Sequence, residues 1–181
     1  MIRWFLWLLG GVLLGGIVHL ATILMLPRTA TQDAYSRLAP ITPLNAFVPL
    51  PDAQAENPIV PFRDPAFAAA VCRYDLADGP LKLQAPVTQA YTSVSFYTRL
   101  GVPYYSINDR AAGRRVIELD LMTAEQRAQL PEEEDVTAAD RLIVQSPTVS
   151  GLIVLRALAP EPGLMAMARE ALTSAQCRPQ Q

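Results

Sequence analysis

The chain has 181 residues, of which 51% are hydrophobic and 18% charged, and its formal net charge is -2. This length accommodates one ordinary domain with an additional segment, and the weak charge argues against a protein that binds the phosphate backbone of nucleic acid. The single histidine, His19, lies in an apolar run, which excludes a histidine-dependent triad or metal site in a soluble domain. No glycine-rich phosphate loop or Cys-x-x-Cys motif occurs, so we expect neither a metal nor a cofactor.

The amino-terminal residues 1–27 are a predicted transmembrane anchor. Trp4–Leu26 carries no charge, and as a helix it would span roughly 34 Å, against a hydrocarbon core of about 30 Å. The alternative is a cleaved secretory signal, although Leu26–Ala30 fits a cleavage site poorly. We expect a single-pass protein of the bacterial inner membrane, with a cytoplasmic amino terminus and a periplasmic carboxy-terminal domain.

Three residues of the anchor share one face of the predicted helix. Gly11, Gly15 and His19 follow one another at intervals of four residues. Small residues at this spacing let two membrane helices approach closely, and a polar side chain can bond across the contact. We interpret them as a helix-pairing face. The alternative is that glycine is simply common in membrane helices and that His19 lies near the outer interface.

Residues 28–65 are a predicted proline-rich tether. The chain has 16 prolines, and half of them lie close together, at Pro27, Pro40, Pro43, Pro49, Pro51, Pro58, Pro61 and Pro65. Proline removes backbone donors and forbids regular helix, so this stretch should be extended or rich in turns. Its apolar side chains need cover, which indicates a stalk that then wraps the surface of the domain.

Residues 66–181 form a predicted β-rich periplasmic domain. Alternating apolar residues and aromatic or β-branched runs predict strands at Leu81–Gln84, Tyr91–Tyr97, Val102–Ile107, Val116–Met122, Arg141–Gln145 and Leu152–Leu158. Gly101, in the gap between the second and third of these, predicts a hairpin. The spacing favours a mainly β fold, an antiparallel sandwich or a jelly-roll-like arrangement.

Two helices are predicted within this domain. Thr123–Gln126 is a capping box that opens a short helix. Pro162 suits the first position of a second, carboxy-terminal amphipathic helix, whose apolar residues recur at helical spacing as far as Ala175. We expect its apolar face to pack on the sheet, with Met165 and Met167 filling the core.

The two cysteines, Cys72 and Cys177, are a predicted disulfide. They lie near opposite ends of one domain, and a compartment outside the cytoplasm favours oxidation. The alternative is a pair of buried thiols.

The densest polar group of the chain gives the candidate binding residues Tyr105, Asn108, Asp109 and Arg110. An Asn-Asp pair favours a turn, and arginine beside backbone amides can hold an anion. The alternative is that these residues are the solvated ends of two strands. No catalytic residue is assigned, because paired-carboxylate chemistry needs a separation that the sequence does not define.

Several stretches together resemble the bacterial domain-of-unknown-function family numbered 1254. They are Pro61–Ala68, Val71–Leu76, Tyr91–Tyr97 and Tyr105–Arg110. The resemblance implies one helix, a proline-rich stretch, a small β-rich domain and a terminal cysteine. In longer members a domain like this one is followed by a second, jelly-roll-like domain of the family numbered 1214, and short members look like a split version. The resemblance therefore implies a separate membrane-anchored companion of the 1214 type, and it implies no reaction.

We expect a non-enzymatic binding module, because the chain has an anchor, lacks catalytic equipment and resembles half of a two-domain protein. The alternative is an envelope hydrolase or carbohydrate-binding unit that uses Asp109, Arg110 and nearby tyrosines. An exposed apolar face would favour the first hypothesis, and a concave cleft with two converging carboxylates would favour the second.

Overall fold

A computed structural model describes residues 1–29, 33–52, 59–113, 115–130 and 142–180 of the chain. The chain divides into two compact units, Met1–Asp33 and Ala34–Gln181.

The first unit is one long helix, α1 (Ile2–Thr29). Its stretch Ile2–Leu26 has a mean hydropathy of 2.1, and none of the stretch is buried. The helix is therefore long and apolar enough to cross a membrane, as an anchor or as a signal sequence. Gly11, Gly15 and His19 are exposed on this helix, as are the other residues as far as Leu26, and the helix-pairing face stays a prediction.

The second unit is built mainly of strands. Its elements are α2 (Ala34–Leu38), β1 (Phe47–Pro49), β2 (Phe67–Asp75), β3 (Leu81–Pro86), β4 (Thr92–Thr98), β5 (Pro103–Asn108), α3 (Asp109–Ala112), β6 (Val116–Thr123), α4 (Ala124–Ala128), β7 (Leu142–Ser146), β8 (Ser150–Leu158), a 3-10 turn (Pro162–Leu164), α5 (Met165–Thr173) and β9 (Gln176–Pro179). One sheet has the order β1-β2-β8-β4-β5 and the other the order β7-β6-β3-β9.

The two sheets form a sandwich, which confirms the predicted fold class. On β3, Leu81, Leu83 and Ala85 are buried and the residues between them are half-buried, as the period of two requires. Phe96 and Ile153 are buried residues of the same core from the other sheet. Each predicted strand has its counterpart in β3 to β8, although Arg141 lies outside the described residues.

One pair of strands breaks the antiparallel pattern. β6 and β7 run parallel, with Leu119 opposite Leu142, whereas the other paired strands are antiparallel. A parallel neighbour needs a crossover, and α4 lies within it. The predicted capping box is present at the start of α4: Gln126 N donates to Thr123 Oγ1, and Thr123 N donates to Gln126 Oε1. Gln126 Nε2 also donates to the Leu76 carbonyl at 2.7 Å, which ties the crossover to the turn after β2.

The segment after α1 covers the outer face of the five-stranded sheet. Val71 and Leu152 point to that face, yet both are buried because Leu38 of α2 packs on them. Beside them, the Tyr35 ring lies between two guanidinium groups, 5.1 Å from Arg73 and 4.9 Å from Arg99. Consequently β2 is covered on both faces.

The carboxy-terminal end departs from the sequence prediction. Pro162 opens the 3-10 turn, α5 starts only at Met165 and ends at Thr173, and Gln176–Pro179 forms β9 beside β3. The helix therefore ends before Ala175, which we expected to belong to it. Met167 is 62% exposed, so its assignment to the core was wrong, whereas the half-buried Met165 packs against the core.

A disulfide joins Cys72 of β2 to Cys177 of β9, across the two sheets. Their Cα atoms are 6.6 Å apart, and both residues are buried in the core. The bond therefore fixes β9 of the four-stranded sheet to β2 of the five-stranded sheet.

Candidate functional site

Three of the four predicted binding residues, Asn108, Asp109 and Arg110, lie where β5 passes into α3, and Tyr105 lies three residues earlier, within β5. Tyr105 is half-buried, with its ring centre 5.8 Å from that of Phe96. Asn108 is the N-cap of α3, and its Oδ1 accepts the Ala111 amide at 2.9 Å. The sequence reading of an Asn-Asp turn thus missed a helix cap.

The other two residues of this group differ in exposure. Asp109 Oδ1 accepts the Thr92 amide at 3.4 Å, which joins α3 to the start of β4. Arg110 is exposed. Asn108 and Asp109 therefore stabilise the junction between strand and helix, whereas Tyr105 packs against Phe96 of β4. A ligand-binding role for the four residues stays a prediction. Within the described residues, no three histidine, cysteine or acidic side chains converge as a metal site requires.

A buried network of hydroxyl groups joins the two sheets near the other end of β5. Tyr104 Oη donates to Tyr74 Oη at 3.1 Å, and Tyr74 Oη lies 2.9 Å from Ser146 Oγ on β7. Burial raises the pKa of the Tyr104 phenol well above its ordinary value of 10.0. Its hydroxyl therefore stays protonated and serves as a donor within the core, not as a proton-transfer group near neutral pH.

A β-bulge places Tyr104 in this network. Phe96 pairs with Tyr105, while its neighbour Tyr97 pairs with Pro103, so Tyr104 is the extra residue of β5. Both tyrosine rings consequently lie beside Phe96, at 6.1 and 5.8 Å between ring centres. Two consecutive tyrosines do not show which of them faces the core, so the sequence did not predict the bulge.

An apolar groove, of about 460 Å³, lies between α5 and the loop that joins β3 to β4. Met167 and Ala171 line it from one side of α5, because residues four apart share a face, and Leu164 lines it from the 3-10 turn. Leu164 is 36% exposed and Met167 62% exposed. Ala168 and Leu172 are buried and hold α5 on the core, so the groove is the apolar side that α5 leaves to solvent.

A second concave region lies on the outer face of the five-stranded sheet; we call it the outer cleft. It consists of two adjoining cavities of about 430 and 400 Å³, which share Leu50, Arg63, Phe67 and Ala69. The Arg63 terminal nitrogen donates to the Pro51 carbonyl, but its Nε is buried and has no hydrogen-bond partner within the described residues. Burial lowers the pKa of this guanidinium.

The comparison with known families gives one assignment. A family model with the description "Protein of unknown function (DUF1254)" matches residues 44–179, which is most of the chain. The chain therefore belongs to this family, as the resemblance predicted. No curated protein sequence matches the chain.

Two solved structures are similar to the chain. The VPA0106 protein from Vibrio parahaemolyticus gives a TM-score of 0.58 at 14% sequence identity, over 82% of this chain and 34% of that protein. An uncharacterized protein from Burkholderia cenocepacia gives 0.48 at 14% identity, over 68% of this chain and 33% of that one. At this identity the first likeness shows the fold alone. The chain spans about a third of the length of the solved proteins that it matches.

Proposed function

We propose that this member of the DUF1254 family is a non-enzymatic binding domain, tethered to the bacterial inner membrane by α1 and facing the periplasm. Its partner is a membrane-anchored companion of the family numbered 1214. The observation that carries the proposal is the length of the solved relative: the fold of this chain matches only 34% of the Vibrio parahaemolyticus protein. In that longer protein the matching part is joined to further chain, and a companion of the 1214 type would offer this domain a corresponding contact.

The groove beside α5 supports this proposal, because it gives the companion an apolar surface to cover. Leu164 of the 3-10 turn and Met167 of α5 expose apolar side chains, although Ala168 and Leu172 hold α5 on the core. Burying such side chains is favourable by about 25 cal/mol per Å². Methionine suits a contact of this kind, since its flexible side chain adapts to the partner.

The experiment is co-purification of the full chain from native membranes in a mild detergent, with the bound species identified by mass spectrometry. We expect a stoichiometric companion of the 1214 type, and its recovery should fall at least about tenfold when Met167→Glu places a charge in the groove. Val149→Glu is the matched control, since Val149 is 51% exposed next to the other end of β8. Recovery of the protein alone, or equal recovery with the two variants, would refute the proposal.

The tether and its orientation have a separate test. A phosphatase fused after Gln181 should be active, because this enzyme functions only when it is exported. The mass of the purified chain should include α1, whereas loss of the residues before Ala34 would identify a cleaved signal. An inactive fusion would reverse the orientation and leave the companion outside the reach of this domain.

A further inference from the structure

The outer cleft is open to a ligand that the proposed function does not use. Each of its cavities has a volume within the range of small-molecule sites, about 300–1,000 Å³. Met165 and Arg169 of α5 border one cavity, and Ala34 and Leu38 of α2 border the other. The floor is formed by outward-facing residues of β2 and β8.

We infer that the outer cleft binds a single-chain anionic amphiphile, with its acidic head group at Arg63 and its hydrocarbon chain along the floor of the cleft. The buried Nε of Arg63 is the first reason. A guanidinium keeps its proton at physiological pH, so this N–H is a charged donor that lacks an acceptor among the described residues. Buried donors are nearly always paired, and an anionic oxygen is the strongest partner for this one.

Among the described residues that border the cleft, neither carboxylate pairs with Arg63. Asp52 forms an ion pair with Arg169, and Asp64 Oδ1 accepts the Ala66 amide at 2.9 Å. Arg156 adds a further positive charge, since it stands exposed on β8 within the lining of the same cavity. The local charge therefore favours an acidic ligand over a basic or neutral one.

The apolar lining distinguishes an amphiphile from a small inorganic anion. Val60, Val71 and Val154 line the cavity of about 400 Å³, which Arg63 and Arg156 also line. Phe62, which also lines it, is fully exposed and has a φ of 59°. A bulky residue rarely adopts this conformation, and such outliers cluster at binding sites. A hydrocarbon chain in the cleft would cover the Phe62 ring and the half-buried Val60 and Val154 together.

The test is photolabelling of the full chain in lipid nanodiscs with two diazirine probes, a palmitate analogue and a lysophosphatidic acid analogue. Mass spectrometry then locates the labelled peptides. We expect labels within residues 50–52, 59–69 or 150–169 from at least one probe, and the stronger probe identifies a carboxylate or a phosphate head group. Labels confined to α1 would refute the inference, because the lipid around an anchor reaches that helix without any site.

Two variants test the role of charge. Arg63→Met should reduce labelling of the cleft at least about tenfold, since it removes the buried donor. Arg156→Glu should also reduce it, and this exposed side chain can change without disturbing the core. Arg178→Met is the control, an exposed arginine on β9 of the other sheet. Cleft labelling that survives both Arg63→Met and Arg156→Glu would refute the inference.

Discussion

Gly151 lies opposite Tyr74 in the pairing of β8 with β2, and the tyrosine ring covers it. A Cβ at position 151 would lie 2.6 Å from Tyr74 Cζ and would also overlap the Tyr97 carbonyl oxygen. The ring therefore occupies the space that any other residue would need. This allows the Tyr74 hydroxyl to reach Ser146 on the opposite sheet.

Gly151→Ala should accordingly destabilise the domain by at least about 2 kcal/mol, because the backbone carbonyl of Tyr97 cannot move aside cheaply. Urea unfolding of the full chain in detergent, followed by near-ultraviolet circular dichroism of the tyrosines, measures the change. Gly163→Ala is the control, since a Cβ there meets nothing within 4 Å and should alter stability by about 0.5 kcal/mol or less. Equal stability of the two variants would show that the ring does not require a glycine.

The buried hydroxyl network predicts a loss of stability at alkaline pH. The pKa of Tyr104 is raised in the folded state, whereas in the unfolded chain it returns to about 10. Below pH 10 both states hold the proton, and this group contributes no dependence on pH. Above pH 10 only the unfolded state loses it, so the free energy of unfolding should fall by up to about 1.4 kcal/mol per pH unit.

Tyr104→Phe isolates that contribution. The variant should lose about 1 kcal/mol at pH 7, because one hydrogen bond to Tyr74 is absent. Between pH 10 and 11.5 its stability should decline less steeply than that of the native chain, as measured by urea unfolding at each pH. Parallel declines would mean that Tyr104 ionises as readily in the folded domain as in the unfolded one.

The disulfide predicts a redox-dependent stability. Cys72 and Cys177 close a loop of 105 residues, and reduction should lower the free energy of unfolding by about 2–4 kcal/mol. Urea unfolding with and without reductant measures the difference. The double variant Cys72→Ala, Cys177→Ala should be less stable than the oxidised native chain, and its free energy of unfolding should not change with reductant. The bond would be contradicted if reductant left the stability of the native chain unchanged, or if both thiols of the unreduced chain could be alkylated.

Local patterns were sufficient to predict the six strands β3 to β8, but neither β1 and β2 nor the order of the strands in the sheets. The alternation of Leu81 and Leu83 and the capping box at Thr123 are encoded within a few residues, and both are present. The neighbours of β2 are not encoded in this way, because β8 lies about 80 residues further along the chain. β9 also escaped prediction, since four residues that end in Pro179 carry no periodic signal and pair only because β3 offers a free edge.

The candidate sites show the same limit. The sequence predicted a turn at Asn108 and Asp109, whereas these residues are the cap and the first residue of α3, a role that depends on the Ala111 and Thr92 amides. Arg63 carried no sequence signal, because its importance follows from the burial of one side-chain nitrogen, which depends on the tertiary structure. Met167 was assigned to the wrong face of α5, since apolar residues all round a helix do not define which side meets the sheet.

The last prediction is that the protein self-associates through the face of α1 that carries Gly11 and Gly15. Gly11 and Gly15 are four residues apart on one side of the helix, and leucine at both positions would keep two helices from close approach. Energy transfer between labelled chains in nanodiscs should therefore fall at least severalfold for Gly11→Leu, Gly15→Leu. The matched control is Gly10→Leu, Gly16→Leu, which adds the same bulk on other faces and should leave the transfer unchanged. An equal loss for both pairs would indicate a nonspecific effect of bulk, and no loss for either would exclude this face as the contact.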